Sequence, residues 1–108
     1  MFTVEYFNKA VFITAHNIRR INYSYYTKLR QLIIMAFKQP CNRIVLNLLG
    51  VRMIDRTALE MLKLMQGISA NTGIQLQIVN IDEDLKQYIT EYSQELLTCL
   101  YTETAYQD

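Results

Sequence analysis

The sequence is poor in the residues on which several kinds of functional site depend. It has three glycines, two cysteines, one histidine and one proline among 108 residues. No GxxxxGK[ST] or GxGxxG loop is present, so the sequence does not indicate a backbone cradle for nucleotide phosphates. Cys41 and Cys99 form no CxxC pair and have no histidine nearby, which argues against a metal site and favours two small apolar side chains. His16 alone, without a nucleophile elbow, gives little support to hydrolase chemistry. We therefore predict neither an enzyme nor a cofactor.

Two further absences narrow the classes of partner. The net charge is only +1, and such a chain has no broad basic field to hold a nucleic-acid backbone. No run of about 18 apolar residues is present, so we predict no membrane insertion. The N-terminus lacks a basic-then-apolar secretory signal, and we expect a cytoplasmic protein. The group Tyr23, Tyr25 and Tyr26, which follows Arg19 and Arg20, leaves base stacking open as an alternative to packing of the rings against the protein.

What is present is a globular composition, with 51% hydrophobic and 19% charged residues. The chain length suits a single domain spanning residues 1–108. Hydrophobic periodicity predicts the order β-β-α-β-α-β-α-β, an α/β fold with helices packed against a mixed sheet. The predicted strands cover 2–7, 10–15, 43–49, 74–81 and 97–102, and 16–22 reads as an extension of the second strand or as a short third strand. The predicted helices cover 23–39 and a segment from Arg56 to about residue 70, and a third follows Asp82.

Several of these segments carry more specific expectations. The alternation in 2–7 predicts a half-buried strand, and Asn8-Lys9 a tight turn into the next one. The nearly continuous apolar run 43–49 predicts a central strand that is covered on both faces. On the second helix, we expect the apolar positions Ala58, Met61, Leu62, Met65 and Ile68 to face the core, and Gly73 to end the helix.

The segment "NLLGVRMIDRTALEMLKLM" (47–65) places a charged, hydroxylated sequence between a buried strand and a helix. Asp55 would cap the helix by accepting hydrogen bonds from the free N–H groups of its first turn. The same geometry would present the hydroxyl of Thr57 to solvent, at a positive helix end where a phosphate is favoured. The residues alone leave a simple cap and a functional site as alternatives.

The stretch "RIVLNLLGVRMIDRTALEMLKLM" resembles the core of STAS domains, the fold of bacterial anti-sigma factor antagonists. Residues 47–51 stand for the family's "DLSGV" and residues 54–59 for its "IDSSGL", and "GIQLQIVNIDEDLKQYI" is similar to the next strand and helix. The resemblance covers roughly residues 10 to 103. Four positions depart from the family pattern: Asn22, Asn47, Arg56 and Ala58.

The resemblance implies a non-enzymatic, partner-switching module that acts in transcription regulation. In the family, the second hydroxyl residue after the motif's aspartate is phosphorylated by a partner kinase, and that position is Thr57 here. The expected partner is an anti-sigma factor or serine kinase-like protein. The expected partner-binding face consists of Asn22, Asp55, Arg56, Thr57, Glu60 and Lys63.

An alternative remains within the same family. The domain would then serve as an accessory subunit of a larger complex, of the stressosome or lipid-transport ATPase type, without a phosphorylation switch. A homodimer is a further candidate assembly.

Overall fold

The computed structural model describes residues 1–100 and has an α/β architecture with a mixed sheet, as the sequence predicts. The strands are β1 (Phe2–Phe7), β2 (Ala10–Ala15), β3 (Arg20–Ile21), β4 (Arg43–Asn47), β5 (Met53–Ile54) and β6 (Gln75–Val79). The helices are α1 (Tyr23–Phe37), α2 (Arg56–Thr72) and α3 (Glu83–Tyr92), followed by a 3-10 helix (Gln94–Cys99).

The main sheet has the strand order β1-β2-β4-β6. β1 and β2 are antiparallel, while β2, β4 and β6 run parallel. Asn8 and Lys9 form the two-residue turn with φ angles of 53° and 63°, a conformation that matches the twist of a hairpin. β4 lies between two neighbours, and Ile44, Val45 and Leu46 are fully buried, which confirms the prediction of a central strand.

A second, two-stranded sheet pairs β3 with β5 in parallel. It resolves the ambiguity of residues 16–22 in favour of a short third strand. The backbone N–H of Asp55 donates to the carbonyl of Ile21 at 3.0 Å, and the N–H of Arg52 donates to Arg19 at 2.7 Å. Because parallel strands end at the same edge, this small sheet brings the starts of α1 and α2 side by side.

The buried side chains of the helices and those of one face of the main sheet form a single core cluster. Every second side chain along β2, β4 and β6 belongs to the core cluster, which includes Val11, Ile13, Ile44, Leu46, Leu76 and Ile78. Helix α2 contributes Ala58, Leu59, Met61, Leu62 and Met65. It ends at Gly73, whose φ of +78° places it in the left-handed region that a glycine adopts without steric cost.

Two predicted elements differ from the structure. β1 is not half-buried: only Phe2 is partly buried, while Val4 and Tyr6 are 48% and 51% exposed, because α1 packs against β2, β3 and β4 instead. The predicted strand 97–102 begins instead within the 3-10 helix, since Leu96 and Cys99 bury at the i, i+3 spacing of such a helix. Leu100 makes one parallel bridge to Ile78, and residues 101–102 lie outside the described residues.

Smaller corrections concern individual positions. Helix α1 ends at Phe37 rather than residue 39, and β4 ends at Asn47, with Leu49 exposed. Ile68 was expected in the core stripe of α2 but is 39% exposed. At 100° per residue it lies nearer to the exposed Thr57 and Leu64 than to the centre of the buried stripe.

Candidate partner-binding site at the start of the second helix

The candidate site is a surface where two helices begin next to each other. Asn22 directly follows β3 and Asp55 directly follows β5, so the paired strands set the spacing of the two helix starts. Asn22 caps α1, because its Oδ1 accepts from the backbone N–H groups of Ser24 at 3.0 Å and Tyr25 at 3.4 Å. Its side chain is therefore held in place by the helix.

Asp55 occupies the cap position of α2 but does not cap it with its side chain. Its backbone is extended, and its carbonyl accepts from Leu59 N–H at 3.0 Å. The carboxylate Oδ1 instead accepts a hydrogen bond from Arg20 Nε at 3.0 Å. The expectation of a side-chain cap is wrong: the carboxylate is oriented towards Arg20 and not towards the N–H groups of the first turn. The first N–H groups of α2 consequently receive no side-chain cap.

Thr57 lies in this uncapped first turn and is exposed. Beside it, the Arg56 guanidinium lies 5.8 Å above the ring of Tyr92 on α3. The Glu60 carboxylate acts as a hydrogen-bond acceptor towards the Tyr92 phenol and raises the pKa of Tyr92 above its ordinary value. Tyr92 thus interacts with both Arg56 and Glu60, which lie one helical turn apart on α2.

The exposed face of α2 continues from Thr57 towards the C-terminus of the helix. Leu64 is 69% exposed and Ile68 is 39% exposed. At 100° per residue these two side chains fall within about 20° of the direction of Thr57. Glu60 borders this stripe, whereas Lys63 turns away and its Nζ lies 4.0 Å from a carboxylate oxygen of Glu95 in the 3-10 helix. We call Thr57, Leu64 and Ile68 the α2 stripe.

The structure therefore brings together most, but not all, of the residues proposed from the sequence. Asn22, Asp55, Arg56, Thr57 and Glu60 lie around the two helix starts, and Lys63 lies on the flank that faces the 3-10 helix. Sequence reasoning missed Leu64, which is more exposed than Ile68. Its spacing of seven residues from Thr57, two helical turns, was the available signal.

Asn47, where the family pattern has an aspartate, has a structural role in the loop before β5. It is buried, and its Oδ1 accepts from Leu49 N–H and from Asn80 Nδ2, both at 3.1 Å. An amide oxygen serves as acceptor here without adding a charge. The bond between Asn47 and Asn80 ties together the ends of β4 and β6.

Other candidate sites considered in the sequence have less support. Within residues 1–100, no three His, Cys, Asp or Glu side chains are grouped so that they could hold a metal ion. His16 is exposed, and its Nε2 lies 2.8 Å from Thr3 Oγ1. Cys99 is buried and Cys41 half-buried, and burial raises the pKa of both thiols.

Of Tyr23, Tyr25 and Tyr26, only Tyr23 is largely exposed, while the other two pack against the core.

Among the described residues, no helix is both long and apolar enough to cross a membrane. The helices of residues 1–100 instead carry one buried stripe each, and their opposite faces are polar or mixed.

Several solved structures resemble this chain at low sequence identity. SpoIIAA, a Bacillus cell fate determinant, in its phosphorylated form matches with a TM-score of 0.75 and 13% identity, over 99% of this chain and 97% of that one. An anti-sigma-factor antagonist (STAS) domain protein from Planctomyces limnophilus matches with a TM-score of 0.77 and 10% identity, over 94% and 88%. At these identities the likeness concerns the fold.

A further match is part of a much larger protein. The murine anion transporter Slc26a9 matches with a TM-score of 0.68 and 15% identity over 91% of this chain, which spans only 17% of the transporter. No curated protein sequence matches the chain. The sequence profile of the STAS domain matches residues 10–101, nearly the whole chain. Members of this family are generally non-enzymatic interaction modules. The chain belongs to the STAS domain family.

Proposed function

We propose that this protein is a non-enzymatic module that binds an anti-sigma factor or serine kinase-like partner and is switched by phosphorylation of Thr57. The observation that carries the proposal is the exposed Thr57 in an uncapped first helical turn. Partially charged N–H groups at such a helix start favour an anion. Thr57 also lies on the same face of α2 as Leu64 and Ile68, whose apolar side chains supply contact area for a partner.

The electrostatics around Thr57 explain how a phosphate would act. The modification adds about −1.5 to −2 charges at neutral pH. Two carboxylates lie close along the chain, Asp55 before Thr57 and Glu60 one turn after it, and both would repel the phosphate. Arg20 is engaged by Asp55 and Arg56 lies over Tyr92, so a phosphate would compete for cations that already have partners. The modification therefore changes both the charge and the side-chain arrangement of the face.

The test uses the full chain, ATP and candidate kinases encoded near its gene. Phosphorylation is read by intact mass, and binding is compared for Thr57→Ala and Thr57→Glu. We expect a mass shift in the wild type that Thr57→Ala abolishes, and weaker partner binding for Thr57→Glu. Thr27, an exposed threonine of α1, provides matched controls, and Thr27→Ala and Thr27→Glu should retain both properties. Equal partner binding by the two Thr57 variants would rule out the switch.

The second candidate is an accessory subunit of a larger complex, of the stressosome or lipid-transport ATPase type, which binds without phosphorylation. The exposure of Leu64 and Ile68 favours it, because an apolar stripe on one helix can dock permanently. In this case Thr57→Ala leaves assembly intact and Leu64→Ser abolishes it. Leu64 is 69% exposed, so Leu64→Ser should leave folding unaffected, and a loss of assembly would not reflect unfolding.

A further inference from the structure

The outer edge of the main sheet is formed by β1, and no strand of residues 1–100 pairs with that edge. The pairing of Met1 with His16 shows which residues of β1 bond to β2 and which point outward. His16 N–H donates to Met1 O at 2.7 Å, and the Met1 nitrogen donates to His16 O at 2.8 Å. Opposed pairs in an antiparallel ladder alternate between hydrogen-bonded and non-hydrogen-bonded ones. Met1 is hydrogen-bonded to β2, so the other odd-numbered residues of β1 are too. Phe2, Val4 and Tyr6 therefore direct their N–H and C=O groups outward.

The same edge carries a concentration of exposed apolar side chains. Met1 and Phe7 are each 72% exposed, Val4 and Tyr6 about half exposed, and Met35 on α1 58% exposed. Val4 and Tyr6 line a groove of about 350 Å³ between β1 and α1, whose other wall includes Leu32, Met35 and Ala36. Apolar patches of this kind mark contact sites more often than isolated exposed residues do. Within β1, Glu5 is the only charged residue, and the strand has no proline to block pairing.

We propose that β1 pairs antiparallel with β1 of a second copy of this chain, around a twofold axis that passes beside Val4, so that the two sheets join into one. If the helices of both copies lie on the same side of the joined sheet, the twofold axis is perpendicular to the sheet. Even-numbered residues, whose backbone groups point outward, then oppose even-numbered residues of the second copy. In the proposed register Val4 opposes Val4 of the second copy, and Phe2 opposes Tyr6 of the second copy. The three opposed pairs use every outward group of β1, with two backbone hydrogen bonds each.

Side-chain chemistry favours this register over the one centred on Glu5. In the proposed register Glu5 opposes Thr3 of the second copy, whose hydroxyl can donate to the carboxylate, and Met1 opposes the equally exposed Phe7. A shift of the axis to Glu5 would place two carboxylates directly opposite each other and would leave Phe2 facing the turn residue Asn8. Like charges in directly opposed positions destabilise a sheet. The sequence of β1 is therefore self-complementary around Val4 and not around Glu5.

The first test removes an outward N–H without disturbing the fold. The backbone N–H of Val4 points outward and does not bond to β2, so Val4→Pro keeps the β1–β2 hydrogen bonds. Edge strands tolerate proline at such positions. Val4→Thr is the matched control, since it keeps the N–H and a β-branched side chain. In sedimentation equilibrium, the wild type and Val4→Thr should reach twice the 12.7 kDa chain mass with rising concentration, and Val4→Pro should remain at the single mass. A monomeric wild type, or a dimeric Val4→Pro with native circular dichroism, overturns the proposal.

The second test reads the register directly and does not depend on the proline variant folding. In the proposed register the two residues 4 are about 5.5 Å apart at Cα, within the range that a disulfide spans. The two residues 5 are then roughly 8 Å apart, outside that range. Under mild oxidation we expect Val4→Cys to give a disulfide-linked dimer, while Glu5→Cys and the wild type do not. Cross-linking of Glu5→Cys in place of Val4→Cys contradicts the register.

Discussion

At the scale of single residues, the side chains around Thr57 are constrained by a tyrosine from another helix. The ring of Tyr92 lies under the Arg56 guanidinium at 5.8 Å, and its hydroxyl bonds to Glu60. The cation and the carboxylate act on the phenol in opposite directions, and the hydrogen bond to Glu60 has the larger effect on its pKa. Tyr92 thus couples two of the charged groups that flank the proposed phosphorylation site.

This coupling predicts a pH-dependent change that can be followed at Tyr92. The hydrogen bond to Glu60 requires a protonated phenol, so its contribution to stability is complete below the ordinary tyrosine pKa of about 10 and is lost as pH rises through the raised pKa of Tyr92. Glu60→Gln should lower the pKa of Tyr92, and Arg56→Gln should raise it further, because it removes a cation that stabilises the phenolate. The measurement is an NMR titration of ¹³C-labelled tyrosine. Tyr92→Phe identifies the signal among eight tyrosines, and an unchanged pKa in Glu60→Gln would refute the assignment.

Part of the site was predictable from the sequence at this scale. The periodicity and the motif placed Asp55, Arg56 and Thr57 at a strand-to-helix junction, and the structure has that junction. The partner of Asp55 was not predictable, because Arg20 is 35 residues away and reaches it only through the pairing of β3 with β5. The contact between Arg56 and Tyr92 likewise depends on the tertiary placement of α3.

At the scale of elements, the three α-helices of residues 1–100 begin in two different ways. Asn22 caps α1, and Asp82 caps α3 through a 2.8 Å bond from Leu85 N–H. Asp82 caps although its Oδ2 also lies 3.1 Å from Arg52 Nε, whereas Asp55, at the equivalent position of α2, bonds to Arg20 and makes no cap. Helix α2 is the longest of the three and buries five side chains, so packing stabilises it without a cap. The helix that carries the proposed site is therefore the one whose first N–H groups receive no side-chain cap.

This difference predicts unequal costs for removing the residue at each helix start. Asn22→Ala should lower the free energy of unfolding by about 1 kcal/mol, because it removes a cap. Asp55→Ala should cost less, on the order of 0.2–1 kcal/mol, because an exposed ion pair contributes little. Arg20→Ala should cost the same as Asp55→Ala, and the double variant no more than either alone. Urea denaturation measures all four, and a full cap-sized loss in Asp55→Ala with none in Arg20→Ala would show that Asp55 caps α2 after all.

The elements that sequence reasoning misplaced share one cause. β1 alternates as a half-buried strand does, but its burial depends on where α1 lies, and α1 packs against β2, β3 and β4 instead of covering β1. The predicted last strand overlaps a 3-10 helix, in which Leu96, just before the predicted start, and Cys99 are buried at a spacing of three residues. Short apolar segments fit more than one period, and tertiary packing decides between them. The 17 residues of α2 were enough to fix its helical period, and the continuous apolar run of β4 identified it as a buried central strand.

At the scale of the whole molecule, the main sheet is buried on both faces along its centre. The face opposite the helical core includes Val45 and Val79, each fully buried, and Gln77, which is 5% exposed. β6 alternates between Leu76 and Ile78 on the core side and these residues on the other side. The Oε1 atom of Gln77 is buried without a hydrogen-bond partner among the described residues. A buried acceptor without a partner lowers the stability of the sheet.

Replacing this glutamine should therefore change stability in a direction set by the polarity of the new side chain. Gln77→Met keeps the length and removes the unpaired oxygen, so we expect the free energy of unfolding to rise by about 1 kcal/mol or more. Gln77→Glu should be destabilising at neutral pH and recover in acid, because burial raises the pKa of a carboxyl and stability is lost as pH rises through it. Urea denaturation at two pH values measures both. A loss of stability in Gln77→Met would show that Oε1 accepts a hydrogen bond in solution, and that the second face of the sheet is organised by polar contacts.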